Sequence, residues 1–167
     1  MEKPYDEIII GAGSAGLSVA AGAAAFGART ALIEEGPMGG ECLNNGCVPS
    51  KAFLRSAHLA ADIRAAGLYG LNAAPGAADL AAVMARVNGI IERLAPHDSK
   101  ERFESLGVEV LKARAALADG HTVRAGDRLL KGSHIVIATG ALPLVPDLPG
   151  LKDVPYYTNL NIFIHFI

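Results

Sequence analysis

A short apolar run that ends in a glycine-rich turn constrains the fold of this chain more than any other feature. Residues 6–10 (DEIII) have the character of a buried parallel strand, and they lead directly into Gly11-x-Gly13-x-x-Gly16. Residues 15–26 are almost all small or apolar, as in a buried helix, and residues 29–34 form a second apolar strand that ends in an acid. Strand, helix and strand within about 30 residues have the size of a βαβ unit. The sequence therefore predicts an α/β fold with a parallel sheet.

The glycine motif lies in the context that a phosphate-binding loop requires, after a strand and at the start of a helix. The first glycine permits a tight turn, the second lets backbone N–H groups approach a pyrophosphate, and the third allows helix and strand to pack closely. The predicted contacts are Gly11, Gly13, Ser14, Ala15 and Gly16. Glu34, 18 residues after Gly16, has the position of an acid that binds a ribose diol, with Glu35 as its immediate rival. A glycine-rich turn that binds no dinucleotide is the alternative.

The rest of the chain alternates between helical and extended patterns. A helix is predicted from Pro49 to about residue 66, and a strongly amphipathic one from residue 80 that Pro96 interrupts and Gly107 ends. Three short extended runs at 108–111, 121–124 and 128–130, separated by turn signals, predict a small antiparallel meander. Residues 134–138 then predict another buried strand.

Composition narrows the classes of function. The 167 residues are 51% hydrophobic and carry a formal net charge of −2, which fits one globular domain and favours neither nucleic acid nor an anionic membrane surface. Residues 8–28 are uncharged, but their glycines argue against a transmembrane helix. The start MEKPYDE lacks the layout of a signal peptide, so a cytoplasmic location is expected.

Two cysteines, Cys42 and Cys47, lie five residues apart in a segment rich in Gly, Asn and Pro. A structural zinc site needs four ligands, and two thiols without nearby histidines supply only two, so no metal site is predicted. A regular helix would hold the two Cα atoms about 8–9 Å apart, and a disulfide requires less, so a bridge needs an irregular segment such as Gly46 would allow. Cys47 is expected near a helix start, where the helix dipole and Lys51 favour its thiolate. Two structural cysteines remain the alternative to a redox pair.

Together these segments resemble the FAD domain of the flavin-dependent disulfide reductases, which include glutathione reductase, dihydrolipoamide dehydrogenase and mercuric reductase. The resemblance rests on the glycine loop, Glu34, the cysteine segment through Pro49-Ser50-Lys51, and Ala138-Thr139-Gly140, and it spans residues 4 to about 162. Residues 50–58 and 95–99 are most similar to mercuric-reductase-like proteins. The resemblance implies a Rossmann-like FAD-binding domain.

The resemblance also implies roles for individual residues. Cys42 would be the thiol that attacks substrate, Cys47 the thiol beside the flavin, and Lys51 the lysine near flavin N5. The expected FAD contacts further include Gly40, Ala115, Thr139 and Gly140. Glu41 stands where many members have a threonine near the FAD phosphates, and an acid there would repel them unless it turns away.

In this family NAD(P)H reduces FAD and the flavin reduces the disulfide. The resemblance implies that residues 1–167 form the N-terminal FAD domain of a larger homodimeric enzyme, without its NAD(P)-binding and dimerisation domains, and that this chain alone has negligible turnover. The substrate would be a small molecule or a metal ion. A dihydrolipoamide dehydrogenase or another disulfide reductase, and a non-catalytic remnant, remain alternatives. The tail Ile164-His165-Phe166-Ile167 departs from the family pattern.

Overall fold

The predicted strands lie in one six-stranded sheet of the computed structural model, which describes residues 3–74 and 76–163. The strand order is β3-β2-β1-β6-β5-β4, in which β1 pairs in parallel with β2 and β6, and β2 with β3. The pairs β4–β5 and β5–β6 are antiparallel. The strands are β1 (Tyr5–Ile10), β2 (Thr30–Glu34), β3 (Glu109–Lys112), β4 (Ala115–Leu117), β5 (Thr122–Ala125) and β6 (Arg128–Ile137). The fold is thus the Rossmann-like α/β arrangement with a small antiparallel meander that the sequence predicts.

Five α-helices accompany the sheet in the described residues, and their ends follow local chemistry. Gly27 (φ +74°) follows the end of α1, and Ser99 caps α5 by accepting a hydrogen bond from the N–H of Arg102 at 3.2 Å. Pro96 falls in a 3-10 turn, Ala95–Asp98, which separates α4 from α5 as predicted. The helices are α1 (Ser14–Ala25), α2 (Gly40–Asn44), α3 (Cys47–Ala65), α4 (Leu80–Leu94) and α5 (Lys100–Ser105). Two further 3-10 segments are Ala66–Tyr69 and Leu151–Asp153.

The chain divides into two compact units. The first, here called the sheet unit, comprises residues 1–44 and 94–142 and contains all six strands with α1, α2 and α5. The second, the helical unit, comprises residues 45–93 and 143–167 and contains α3 and nearly all of α4.

Hydrophobic cores cover both faces of the central strands of the sheet unit. Neighbouring residues alternate between the faces, so that Ile9 and Leu32 belong to one core while Ile8 and Ile33 belong to the other. All four side chains are at most 1% exposed. The burial of each side chain of this size stabilises the fold by about 1.5–3 kcal/mol. Because both faces of these strands are buried, their sequences are continuous apolar runs. The first core also contains Leu17 of α1, Phe103 of α5 and Val110 of β3, and the second Tyr5, Val123 and Leu130.

The prediction for the meander was wrong in its strand membership. Residues 109–112 pair in parallel with β2, and the first meander strand is instead β4, which the sequence pattern did not reveal. The run 128–130 and residues 134–137 of the run 134–138 are parts of one strand, β6, which pairs first with β5 and then with β1. The two runs look separate in the sequence because Gly132 interrupts the apolar pattern. A side chain does not fit at this position, because an added Cβ would lie 2.8 Å from Ile8 Cδ1.

The uncharged stretch 8–28 forms the second half of β1, the glycine turn and α1 rather than one long helix. Within the described residues, no helix combines the length and hydropathy needed to cross a bilayer. The divergent tail, residues 164–167, lies outside the part of the chain that the structure describes.

Candidate functional site

Two glycines of the loop after β1 are required by the fold itself. Gly11 has φ +104°, and its N–H donates to the Ile33 carbonyl oxygen at 2.8 Å. A Cβ on Gly11 would lie 2.3 Å from the Ala138 carbonyl oxygen, and a Cβ on Gly16 would lie 1.8 Å from the carbonyl oxygen of Gly11. These contacts confirm the tight turn and the close helix–strand packing expected of the first and third glycines.

Gly13, the second glycine, differs because nothing in the fold requires it. Its backbone is extended (φ −81°, ψ −176°), a conformation open to any residue. The heavy atom nearest to an added Cβ would be Gly40 Cα at 3.9 Å, which is an ordinary contact. The space beside Gly13 is therefore open at the N-terminus of α1, where the first helical N–H groups have no intrahelical partner and attract an anion. Ser14 and Ala15 add no charge to oppose one, so a pyrophosphate fits this loop.

Glu34 ends β2 with its carboxylate held against the loop. Its Oε2 accepts a hydrogen bond from the Ala12 N–H at 2.6 Å, and its Oε1 accepts one from the Gly36 N–H at 2.5 Å. A carboxylate has about four acceptor sites, so two bonds leave capacity for a further donor such as a ribose hydroxyl. Glu35 is exposed, and its partner is Arg114, with Oε2 and Nε 3.9 Å apart.

A pocket of about 240 Å³ opens at the carboxyl ends of the parallel strands, where α/β sheets bind their ligands. It brings together four of the predicted contacts, Gly11, Glu34, Ala115 and Thr139. Its other lining residues are Ile10, Ile33, Glu35, Ala113 and Arg114. Residues from four separate places in the sequence thus meet around one cavity.

Helix α2 packs directly on the glycine loop. The Gly39 N–H donates to the Ala12 carbonyl oxygen at 2.9 Å, and a Cβ on Gly40 (φ +57°) would lie 2.6 Å from Gly13 Cα. Asn44 Nδ2 donates to the carbonyl oxygens of Met38 and Gly40, at 3.0 and 2.8 Å, and closes the helix. The segment 36–49, predicted as a loop before a helix, therefore contains α2 and the first residues of α3. Glu41 is exposed and Cys42 is partly buried, both on α2.

Cys47 is the first residue of α3, two residues before the predicted helix start at Pro49. It is exposed, and Lys51, also exposed, follows one turn later on the same helix. Asn45 and Gly46 separate α2 from α3. The segment between the cysteines is thus not a regular helix, as a Cys42–Cys47 disulfide would require.

The two remaining predicted residues, Thr139 and Gly140, lie just after β6. Thr139 lines the pocket, while Gly140, exposed with φ +74°, follows it in the chain. Sequence reasoning missed Gly39 and Arg114. The Gly39-Gly40 doublet was a signal for two consecutive positions with positive φ, and both positions have it. Nothing in the sequence marks Arg114 as a pocket residue except its position before Ala115.

Three of the groups with a shifted pKa form a cluster away from this pocket. Tyr5, Glu109 and Arg128 are the first residues of β1, β3 and β6, so they lie at the amino ends of these parallel strands. The Tyr5 hydroxyl donates to Glu109 Oε2, and Arg128 Nη1 donates to Glu109 Oε1 at 2.6 Å. No group of three or more potential metal ligands (His, Cys, Asp or Glu) was found among the described residues.

Comparison with known proteins agrees with this geometry. The chain is 35% identical to a mercuric reductase from Staphylococcus aureus and 36% identical to a glutathione reductase from Nostoc sp., over 94% and 91% of its length. It spans only 29% and 33% of those two proteins. The Cu(II) complex of the HOCl-induced flavoprotein disulfide reductase RclA from Escherichia coli matches with a TM-score of 0.69 and 28% identity, covering 89% of this chain and 31% of that one. Residues 5–163 match the family described as pyridine nucleotide-disulphide oxidoreductase, an oxidoreductase family whose members use FAD and NAD(P)H. The chain therefore belongs to the pyridine nucleotide-disulphide oxidoreductase family.

Proposed function

We propose that this chain binds FAD at the glycine loop and the adjoining pocket, as part of an NAD(P)H-dependent oxidoreductase with a redox-active Cys42–Cys47 pair. The observation that carries the proposal is the pocket at the carboxyl ends of β1 and β2, where Gly11, Glu34, Ala115 and Thr139 meet. The open space beside Gly13 adds room for a pyrophosphate next to that pocket.

The residues of the sheet unit would bind and orient the cofactor. The free N–H groups at the start of α1 would hold the pyrophosphate, and the partly satisfied carboxylate of Glu34 would accept the ribose hydroxyls. Ala115 and Arg114 would border the adenine. When bound, FAD supplies the two-electron chemistry that connects a nicotinamide to a disulfide.

The cysteine pair would exchange those electrons with a substrate. Reduction of a Cys42–Cys47 disulfide breaks its S–S bond, takes up two electrons and two protons, and leaves two thiols. Exposed Cys47, the first residue of α3 and one turn from Lys51, would be the thiol beside the flavin. Cys42 would then attack the oxidised substrate.

The absorption spectrum of the purified chain tests the cofactor assignment. We expect a yellow protein, or a colourless one that takes up added FAD in a saturable manner. A folded chain that binds no FAD at micromolar concentrations would overturn the proposal.

Two matched variants test the cysteine roles. The charge-transfer absorbance that appears on chemical reduction should disappear in Cys47→Ser and persist in Cys42→Ser, because only Cys47 is assigned to the flavin. Persistence of the band in Cys47→Ser would refute that assignment. If both thiols resist labelling by a thiol reagent without prior reduction, the disulfide is supported, and two immediately reactive thiols would contradict it.

For the substrate we propose a mercuric-reductase-like activity in a homodimeric, cytoplasmic parent protein, with dihydrolipoamide or another disulfide as the alternative. The segments 50–58 and 95–99 support the first choice. Oxidation of NADH and NADPH should be measured on the complete product of the gene with mercuric ion, lipoamide and oxidised glutathione. Turnover with lipoamide but not mercuric ion would favour the alternative, and FAD binding without any turnover would favour a non-catalytic protein.

A further inference from the structure

A second cavity, of about 460 Å³, lies within the helical unit and plays no part in the proposed redox chemistry. Helix α3 contributes one face, and α4 contributes Val83 and Arg86. The α3 face has helical spacing: Arg55, Ser56, Leu59, Ala60 and Ile63. The cavity thus has two arginines and a hydroxyl beside a wall of aliphatic carbon. Its volume falls in the usual range for small-molecule sites, about 300–1,000 Å³.

The two arginines carry charge that the fold does not neutralise. Arg86 Nη1 donates to the Ala52 carbonyl oxygen at 2.9 Å, which fixes the guanidinium beside α3 and leaves its other N–H groups for another acceptor. Neither Arg55 nor Arg86 forms an ion pair with a carboxylate within residues 3–74 and 76–163. A pair of guanidinium groups without a carboxylate partner is suited to an anion such as a carboxylate.

The aliphatic residues determine what accompanies that anion. Leu59, Ile63 and Val83 line the same cavity, and Leu59 is 49% exposed. Covering these side chains with an alkyl chain would remove apolar surface from water and favour binding. Acetate or inorganic phosphate would pair with the arginines but would leave these aliphatic side chains exposed to water.

We infer that this cavity binds an organic anion with a medium-length apolar tail, such as a medium-chain carboxylate, at a site separate from the cysteine pair. Arg55 follows Cys47 by eight residues on α3, which places it about 12 Å farther along the helix axis at about 1.5 Å per residue. The inference does not depend on FAD binding, because all the residues that carry it lie in the helical unit.

Titration of the isotopically labelled 167-residue chain with sodium octanoate, followed by amide chemical shifts, tests the site. Octanoate should shift amides of residues 55–63 and 83–86 in a saturable manner. Sodium acetate lacks the tail and 1-octanol lacks the charge, so each should bind at least several-fold more weakly. Equal affinity for octanoate and 1-octanol would overturn the anion site, and equal effects of acetate and octanoate would overturn the apolar wall.

Four variants locate the charge recognition. Arg55→Gln and Arg86→Gln should each weaken octanoate binding about tenfold, as expected for the loss of one charge-assisted contact. Arg124→Gln, which removes an exposed arginine of β5, should change it by less than twofold. Because Arg86 also contacts Ala52, Arg86→Lys provides a check that keeps the charge, and it should retain more binding than Arg86→Gln if the fold is intact.

The competing occupant is a second copy of the chain. If octanoate does not bind and the same amides shift with protein concentration alone, this face is an interface between copies and the inference is wrong. If octanoate binds equally well to the wild-type chain and to Arg55→Gln and Arg86→Gln, the arginines do not recognise it and the inference is also wrong.

Discussion

The carboxylate of Glu34 accepts a hydrogen bond from the backbone N–H of Ala12, with Oε2 and N 2.6 Å apart. This bond joins the end of β2 to the glycine loop that follows β1. The second oxygen accepts from the Gly36 N–H at 2.5 Å, so one side chain fixes the backbone on both sides of the pocket. The residue proposed to bind the ribose therefore also shapes the loop proposed to bind the pyrophosphate.

Glu34→Gln should weaken FAD binding about tenfold or more. The glutamine amide can accept one of the two backbone hydrogen bonds, but its NH₂ group would face the other N–H, and charge-assisted hydrogen bonds contribute about 1.5–3 kcal/mol. Quenching of FAD fluorescence on titration with the chain measures the affinity.

Glu35→Gln is the matched control. The Glu35 carboxylate is exposed and lies 3.9 Å from Arg114, a contact that contributes little in water. We expect its FAD affinity to stay within about twofold of the wild-type value. A larger loss in Glu35→Gln than in Glu34→Gln would show that Glu35 is the ribose-binding acid.

Gly13→Ala and Gly16→Ala should separate ligand binding from folding. The Gly13 position has space for a Cβ and ordinary backbone angles, so Gly13→Ala should keep its melting temperature within a few degrees while losing most FAD affinity. In Gly16→Ala the new Cβ would lie 1.8 Å from a backbone oxygen, so the protein should be strongly destabilised or fail to fold. Circular dichroism melts together with FAD titrations measure both effects. Unchanged FAD binding by Gly13→Ala would remove the loop from the proposed site.

The first βαβ unit could be predicted because its signals are local. Residues 8–10 of β1 and 31–33 of β2 are apolar on both faces, and Gly11 has the positive φ of a tight turn between β1 and α1. The path of β6 could not be predicted, because Gly132 looks like a break in the sequence and becomes a packing site only when the Ile8 side chain packs against it. Partners that are distant in sequence decide such positions.

The candidate site shows the same division between local and distant information. Glu34 could be selected from its spacing to the glycine motif, but its bond to Ala12 required the folded loop. Gly39 and Gly40 form the junction of α2 with the loop, and this helix was missed because it has only five residues. Short helices of this kind depend on tertiary contacts more than on propensity.

Glu41→Thr should strengthen FAD binding several-fold. Gly40, the preceding residue, packs against Gly13 where the pyrophosphate is proposed to bind, so we expect the charge of the neighbouring Glu41 to oppose a dianionic group there. Two like charges about 4 Å apart repel by about 1 kcal/mol in bulk water and by more near a protein surface. The gain should shrink as salt screens the charge. Glu92→Thr, which removes an exposed acid of α4, should leave the affinity unchanged. Weaker FAD binding in Glu41→Thr would mean that Glu41 supports the cofactor rather than opposing it.

The cluster of Tyr5, Glu109 and Arg128 should make the stability of the fold depend on pH at both extremes. Burial, followed by the hydrogen bond to Glu109, raises the pKa of Tyr5 above its usual 10.0. Burial alone would raise the pKa of Glu109, but the hydrogen bonds from Tyr5 and Arg128 outweigh it and hold the pKa below its usual 4.5. Since the folded state favours neutral Tyr5, that stabilisation is complete below pH about 10 and disappears as pH rises through the raised pKa. Since it favours ionised Glu109, that part is complete above pH about 4.5 and disappears as pH falls through the lowered pKa.

Tyr5→Phe should therefore lower the free energy of unfolding at pH 7 by about 1 kcal/mol, the value of a typical hydrogen bond. Its stability should also fall less steeply than that of the wild-type chain above pH 10, because the group that ionises there has been removed. Glu109→Gln should be destabilised at pH 7, and its deficit should narrow on acidification, as the wild-type carboxylate becomes protonated. Urea unfolding at pH 3, 7 and 10.5 measures these differences. Tyr69 is 79% exposed, so Tyr69→Phe is the control expected to match the wild type at pH 7. A Tyr5→Phe deficit that stays constant through pH 10.5 would show that packing, rather than the hydrogen bond to Glu109, accounts for the contribution of Tyr5.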